Sequence, residues 1–206
     1  MILWTIQEEN AYEQLINNGV YRADASLIFD KYYSAYKMHY DWLVEKMKNL
    51  IGNPPDGVEY PIWAWHTWEG KRKRRDLRCS RYGQKGKKKI QMEIEIPDTQ
   101  VFLTDFDLWC AMMSGFNLDI KSEEDFDKDN SDFEMAEKSE NCELYREEII
   151  KSWDKCIGCD QSINNMFMYK ERSVQATFWE LHKDQIRKVW HFTCRYRDMK
   201  EYAKFK

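Results

Sequence analysis

The sequence has few of the residues that build metal centres and disulfide frameworks. Its 206 residues hold six cysteines and four histidines, and these are dispersed. Only Cys156 and Cys159, in C-I-G-C, stand at a metal or redox spacing, and no second ligand pair at matching spacing accompanies them. No metal site is expected, and the cysteines are expected to be reduced. No apolar run approaches the length of a membrane span, and the N-terminus lacks the basic, apolar, small-residue order of a signal peptide. The expectation is a cytoplasmic protein with no membrane attachment. Internal repeats are absent as well. Aliphatic cover is thin, with a mean hydropathy of −0.81, while aromatics make up 15% of the chain. The core must therefore be built on Trp, Tyr and Phe.

What is present is segregated charge. The net charge is only −4, yet Lys71 to Lys89 is almost wholly basic and Asp119 to Glu148 mostly acidic. Residues 70–89 read as a mobile basic loop, facing a polyanion or neutralised by the acidic stretch. Residues 119–142, poor in apolar side chains, read as a mobile loop or insertion.

The basic loop lies between two strand patterns. In Y-P-I-W-A-W-H-T-W a period of two puts Trp63 and Trp65 on one face and Tyr60, Ile62, His66 and Trp68 on the other, so both faces are covered. In I-Q-M-E-I-E-I-P, Ile90, Met92, Ile94 and Ile96 share one face, and Gln91, Glu93 and Glu95 share the other. Two carboxylates thus project beside the loop, either as solvated charges or as groups of a site. Elsewhere, Ile2 to Gln7 is a strand, and Glu8 to Asn18 a helix stopped by Gly19. Ser26 caps a long helix from Leu27 to Leu50, with a stripe of Phe29, Tyr33, Tyr36, Tyr40, Leu43, Met47 and Leu50. Thr104 or Asp105 caps a helix holding Leu108, Trp109, Met112 and Met113. Val174 to Leu181 is a strand, and a last strand precedes a basic tail. These patterns predict a single α+β domain over residues 1–206, with a mixed or antiparallel sheet packed on the long helix.

The motifs W-T-I-Q (Trp4 to Gln7), G-V-Y (Gly19 to Tyr21), Y-P-I-W-A-W (Tyr60 to Trp65), D-L-R (Asp76 to Arg78), E-I-P-D (Glu95 to Asp98), T-D-F-D (Thr104 to Asp107) and Q-A-T-F-W-E (Gln175 to Glu180) run along most of the chain. On them it resembles a bacterial and phage family catalogued as a domain of unknown function. The layout of first strand, short helix, Gly and aromatic, closed by a late Q-A-x-F strand, is similar to that of ADP-ribosyltransferases that modify nucleic acids. That resemblance implies NAD as cofactor, its ribose held by a first-strand Arg or His and its nicotinamide stacked on aromatics of a second strand that also offers a small polar residue, with a late-strand Glu positioning the acceptor and stabilising the oxocarbenium-like centre. The chain departs from the pattern, carrying Trp4 and Thr5 in the first place and Thr177 in the last.

On this reading Thr5, Tyr21, Tyr60, Trp63 and Arg78 line a nucleotide cleft. Glu95 and Gln175 stand at the reacting centre, the carboxylate facing the cationic ribose carbon. Arg72, Lys73, Arg74 and Arg75 meet nucleic-acid phosphate. Arg78 could equally pair with Asp76, Glu93 or Glu95 and fix the hairpin. The function expected is an ADP-ribosyltransferase-like protein acting on nucleic acid, with a place in phage and host conflict. The alternative is a non-catalytic module for single-stranded nucleic acid, built from the basic loop and the aromatics.

Overall fold

A computed structural model of the protein describes residues 1–28, 36–77, 85–138, 142–158, 165–168 and 170–194. In chain order its elements are β1 (Ile2–Glu8), α1 (Glu9–Asn18), β2 (Val20–Arg22), α2 (Ala25–Ile28), α3 (Lys37–Ile51), β3 (Ile62–Thr67), β4 (Lys88–Glu95), β5 (Phe102–Asp105), α4 (Phe106–Met113), α5 (Glu123–Lys138), α6 (Cys142–Ser152), β6 (Val174–Phe178), β7 (Glu180–His182) and β8 (Ile186–Thr193). Six strands form one antiparallel sheet in the order β5-β6-β3-β1-β4-β8, and β2 pairs with β7 in a small second sheet. The α+β class with helices on an antiparallel sheet is as the strand patterns predict. No helix among the described residues is long and apolar enough to cross a membrane.

Each face of the large sheet packs its own core. Alternation along β1, β3, β4 and β6 sends Leu3, Ile62, Ala64, Ile90, Met92, Ile94, Ala176 and Phe178 to one side, where Leu15 of α1 and Leu181 of β7 cover them. Gly19 at φ 78° ends α1, its amide donating to Leu15 O at 3.0 Å, and turns the chain into β2. On the other side Phe102 and the half-buried Trp63 meet Leu43, Val44 and Met47 of α3, Leu108, Trp109 and Met112 of α4, and Trp153. Aromatic contacts dominate this second core, with Tyr40 edge-on to Tyr60, Trp63 and Trp109.

Several expectations are corrected. The helix predicted from Leu27 to Leu50 is described as α2 and α3, with 29–35, and so Phe29 and Tyr33, outside the described residues. Its cap is Asp24, which accepts from Ser26 N and Ser26 Oγ, rather than Ser26. Leu50, assigned to the core stripe, is 62% exposed, and Val44 occupies the core instead. The strand over Val174 to Leu181 is two strands, broken at Trp179, whose indole N–H donates to Gly52 O at 2.9 Å.

The acidic segment expected to be a loop is helical over α5. Glu123, Glu124 and Asp125 suit the positive end of its dipole, and Lys128–Asp132 and Lys138–Glu134 are i,i+4 pairs. Phe126 against Phe116, and Phe133 against Tyr145, dock it. These two aromatic contacts, seven residues apart on one helix face, outweigh a composition that is otherwise polar.

Candidate functional site

The strand registers place one residue from each of the six strands in a single row across the sheet. Thr104 pairs with Gln175, Gln175 with Trp65, Trp65 with Trp4, Trp4 with Glu93, and Glu93 with Lys188. Partners in register project to one face, so the row lies on the side that carries Trp63 and Phe102. Trp190, opposite Gln91, shares that face. At one end of the row Trp4 Nε1 donates to Glu93 at 3.2 Å, and Lys188 pairs with the same carboxylate at 3.3 Å.

The other end of the row is polar and unmatched. Gln175 Oε1 and Thr104 Oγ1 are buried without a hydrogen-bond partner, and so is Trp63 Nε1 on the same face. Thr104 is fully buried. An orphaned buried polar atom costs about 1–3 kcal/mol. Three on one sheet face are an acceptor, a donor and a hydroxyl that can act as either. Planar side chains frame them: Trp63 beside Trp109 at 4.9 Å, and Trp65 edge-on to Phe106 at 5.0 Å and to Trp68 at 4.7 Å.

The turn after β3 folds back over the row. Glu69 and Gly70 carry positive φ, of 49° and 69°, and Trp68 and Lys71 exchange backbone hydrogen bonds. The next residues lie on the tryptophans. The Arg72 guanidinium sits 5.4 Å from the Trp4 ring centroid, Arg74 4.7 Å from Trp190, and Arg75 3.7 Å from Trp68 and 5.0 Å from Trp65. Such stacking holds a guanidinium by about 0.5–2 kcal/mol. Arg72 also donates to the carbonyls of His66 and Ile2. Burial, with the Arg72 charge beside it, lowers the His66 pKa to about 4.

The residues named for the cleft are divided by the sheet. Thr5 pairs in register with Met92, is fully buried on the opposite face, and donates to Trp63 O at 2.7 Å. Tyr21 packs in the core of that same opposite face, where burial, then Asp24 and Glu8, raise its hydroxyl pKa. Tyr60 is buried on the row's side with its hydroxyl donated to Asp41 at 3.0 Å. Trp63 and Gln175 do share a face and an unmatched polar end. Glu95 lies at the end of β4, exposed, paired with Arg187 at 2.5 Å and two residues beyond the row. Arg78 and residues 78–84 of the basic loop lie outside the described residues, as do Cys159 and the basic tail.

Lys73 is exposed and paired with Glu69 at 3.5 Å, whereas Arg72, Arg74 and Arg75 are laid on the sheet. Over its described part the basic loop is a strap on the sheet, its guanidinium groups lying on tryptophan faces. Thr177, standing where the resembled pattern has a carboxylate, is fully buried with its hydroxyl on Phe102 O at 3.4 Å.

Sequence reasoning passed over Thr104, Trp65, Trp4 and Glu93 as a set. The signal available was the shared face of Trp63 and Trp65, because the register that joins them to β1, β4, β5 and β6 belongs to pairing between distant segments.

The model of a family described as a domain of unknown function, DUF3841, matches residues 2–187, and the chain belongs to that family. No curated protein and no solved structure matches it.

Proposed function

We propose that this member of the DUF3841 family binds a nucleotide of the NAD type on the row face of its sheet. The observation that carries the reading is the unmatched trio of Gln175 Oε1, Thr104 Oγ1 and Trp63 Nε1 on one face. A planar group with a donor and an acceptor on one edge, such as a carboxamide or a purine, would supply their partners, and the indoles supply stacking area. The ADP-ribosyltransferases that the chain resembles build their site from a first strand, a second strand with aromatics and a late strand. β1, β3 and β6 lie side by side here and contribute Trp4, Trp65 and Gln175.

Transfer of ADP-ribose to nucleic acid, in phage and host conflict, is the fuller form of this reading. It needs a carboxylate to face the cationic ribose carbon. The row offers Glu93, already engaged by Trp4 and Lys188, and Glu95 stands apart. Binding without turnover is the form this geometry supports best. Both NAD and nucleic acid suit a cytoplasmic protein.

Calorimetric titration of NAD into the wild type and into Gln175→Leu tests the binding. Saturable binding that weakens at least tenfold in the variant is expected, and equal affinity in both proteins would sink the assignment. Labelled NAD offered with DNA, RNA and protein acceptors tests transfer. Label on any acceptor that is lost in Glu93→Gln would establish turnover.

A second reading, a module for single-stranded nucleic acid, is favoured by the guanidinium groups of Arg72, Arg74 and Arg75 on Trp4, Trp190, Trp65 and Trp68. They combine the phosphate contacts and stacking platforms such modules need.

A further inference from the structure

We infer that the Arg72–Arg75 turn is an exchangeable strap: phosphates of a single-stranded nucleic acid take its guanidinium groups from the tryptophan faces, uncovering Trp68 and Trp190 for stacked bases and Trp65 for the nucleotide. The inference rests on the nucleotide reading in one respect, that the strap crosses the row which the nucleotide uses.

The two ends of the strap are held differently. Arg72 is an anchor, its guanidinium bound to the carbonyls of His66 and Ile2 and stacked on Trp4. Arg74 has a long 3.3 Å bond to Gln91 Oε1 and the face of Trp190. Arg75 stacks on both Trp68 and Trp65. A guanidinium on an indole is held by the ring's quadrupole alone, a weak attraction where solvent reaches the pair. A bidentate, charge-assisted bond to phosphate is stronger per contact than a neutral hydrogen bond, by roughly twofold. A phosphate therefore competes for the guanidinium groups of Arg74 and Arg75 with two charge-assisted bonds at once.

The surroundings favour an anion. Lys71 and Lys73 are exposed within the turn itself, Lys85, Lys87 and Lys88 are exposed where the chain enters β4, and Lys188 pairs with Glu93 in the row. Freed indoles select the form of the partner. A base in a duplex has both faces stacked already, whereas an unpaired base offers one to an aromatic ring. The partner is accordingly a single strand, and its binding opens the row to the nucleotide.

Fluorescein-labelled dT15 and a duplex of the same length, titrated over a salt series with tryptophan emission recorded, test the inference. NAD affinity is measured with and without saturating dT15. In the wild type, dT15 is expected to bind about tenfold tighter than the duplex, to change indole emission, and to tighten NAD binding several-fold. Replacing Arg74 and Arg75 together by Ala should weaken dT15 about tenfold and flatten the salt slope by about 1.4, as two lost phosphate contacts require. The same variant should bind NAD more tightly than the wild type. Arg74→Lys with Arg75→Lys should keep the slope but not the affinity, and it carries the test if the alanine variant fails to fold. Absence of dT15 binding, a preference for duplex, or an unchanged slope in the alanine variant overturns the strap whether or not NAD binds. Equal NAD affinity with and without dT15 overturns the occlusion. If the dT15 results hold and NAD binds none of the proteins, the nucleotide reading falls and the exchange stands.

Discussion

Arg172 and Asp105 form a buried ion pair in which the guanidinium Nε donates to Oδ2 at 2.7 Å and a terminal nitrogen lies 2.5 Å from that oxygen. The other oxygen of Asp105 accepts from Asp107 N and Leu108 N, both at 3.0 Å, and so caps α4. One carboxylate thus fixes both the helix that brings Phe106 and Trp109 to the row face and the segment that enters β6. Asp105→Ala should cost about 3–5 kcal/mol, because it removes the carboxylate half of the pair with Arg172 and uncaps the helix. Asp105→Asn keeps a capping oxygen and loses the charge, and should fall between. Urea melts of the two variants separate cap from pair, and equal stability of Asp105→Ala and wild type would overturn the assignment.

Thr104→Val should leave the unliganded protein as stable or up to about 1 kcal/mol more stable. It removes a buried hydroxyl that has no partner and keeps its shape. It should also reduce any thermal shift produced by NAD. A destabilisation of 1 kcal/mol or more in urea would show that the hydroxyl is satisfied in solution.

His66 should make stability fall in mild acid. Its folded pKa of about 4 lies below the ordinary value of 6.5, so the unfolded chain takes up the proton first as pH drops. The contribution is complete above about pH 6.5 and is lost progressively as pH falls toward 4. Because the ring is half exposed, solvent screens part of the effect. Thermal melts between pH 4 and 7 should show a shallower acid slope for His66→Gln than for wild type.

Glu95→Gln should change stability by no more than about 1 kcal/mol, as an exposed pair with Arg187 predicts, and leave NAD binding unaltered. Glu93→Gln should cost more, since Trp4 Nε1 and Lys188 both use that carboxylate. If Glu95→Gln is the variant that abolishes NAD binding, the row is not the site.

The faces were legible where alternation was strict. Ile90, Met92 and Ile94 went to the core and Gln91, Glu93 and Glu95 to the other side, as the period of two requires. The capping role of Asp105 could also be read from T-D-F-D. The order of the strands could not, because Trp4, Trp65 and Gln175 are joined by pairings between segments some 60 and 110 residues apart, and a period carries no information about partners. Thr5 and Tyr21 were placed with Trp63 by resemblance, yet their neighbours in register and core put them across the sheet. The strap could not be read for a different reason. Composition reports the repulsion among Lys and Arg, not the four indoles waiting at the right distance.

The position of β6 has a consequence for how the chain reaches this state. Residues 174–178 fill the gap between β3 and β5, so the strand that joins β5 to the rest of the sheet is made after both of its neighbours. Until they emerge, β3 and β5 each carry an open edge, and the aromatic face of β3 has no neighbour on that side. Closing the sheet then means joining segments far apart in sequence, at the entropic cost that slows such topologies. A chain lacking everything from Val174 would therefore keep β3-β1-β4 as a three-stranded sheet and leave β5 without a partner strand, with open edges prone to pair with other chains.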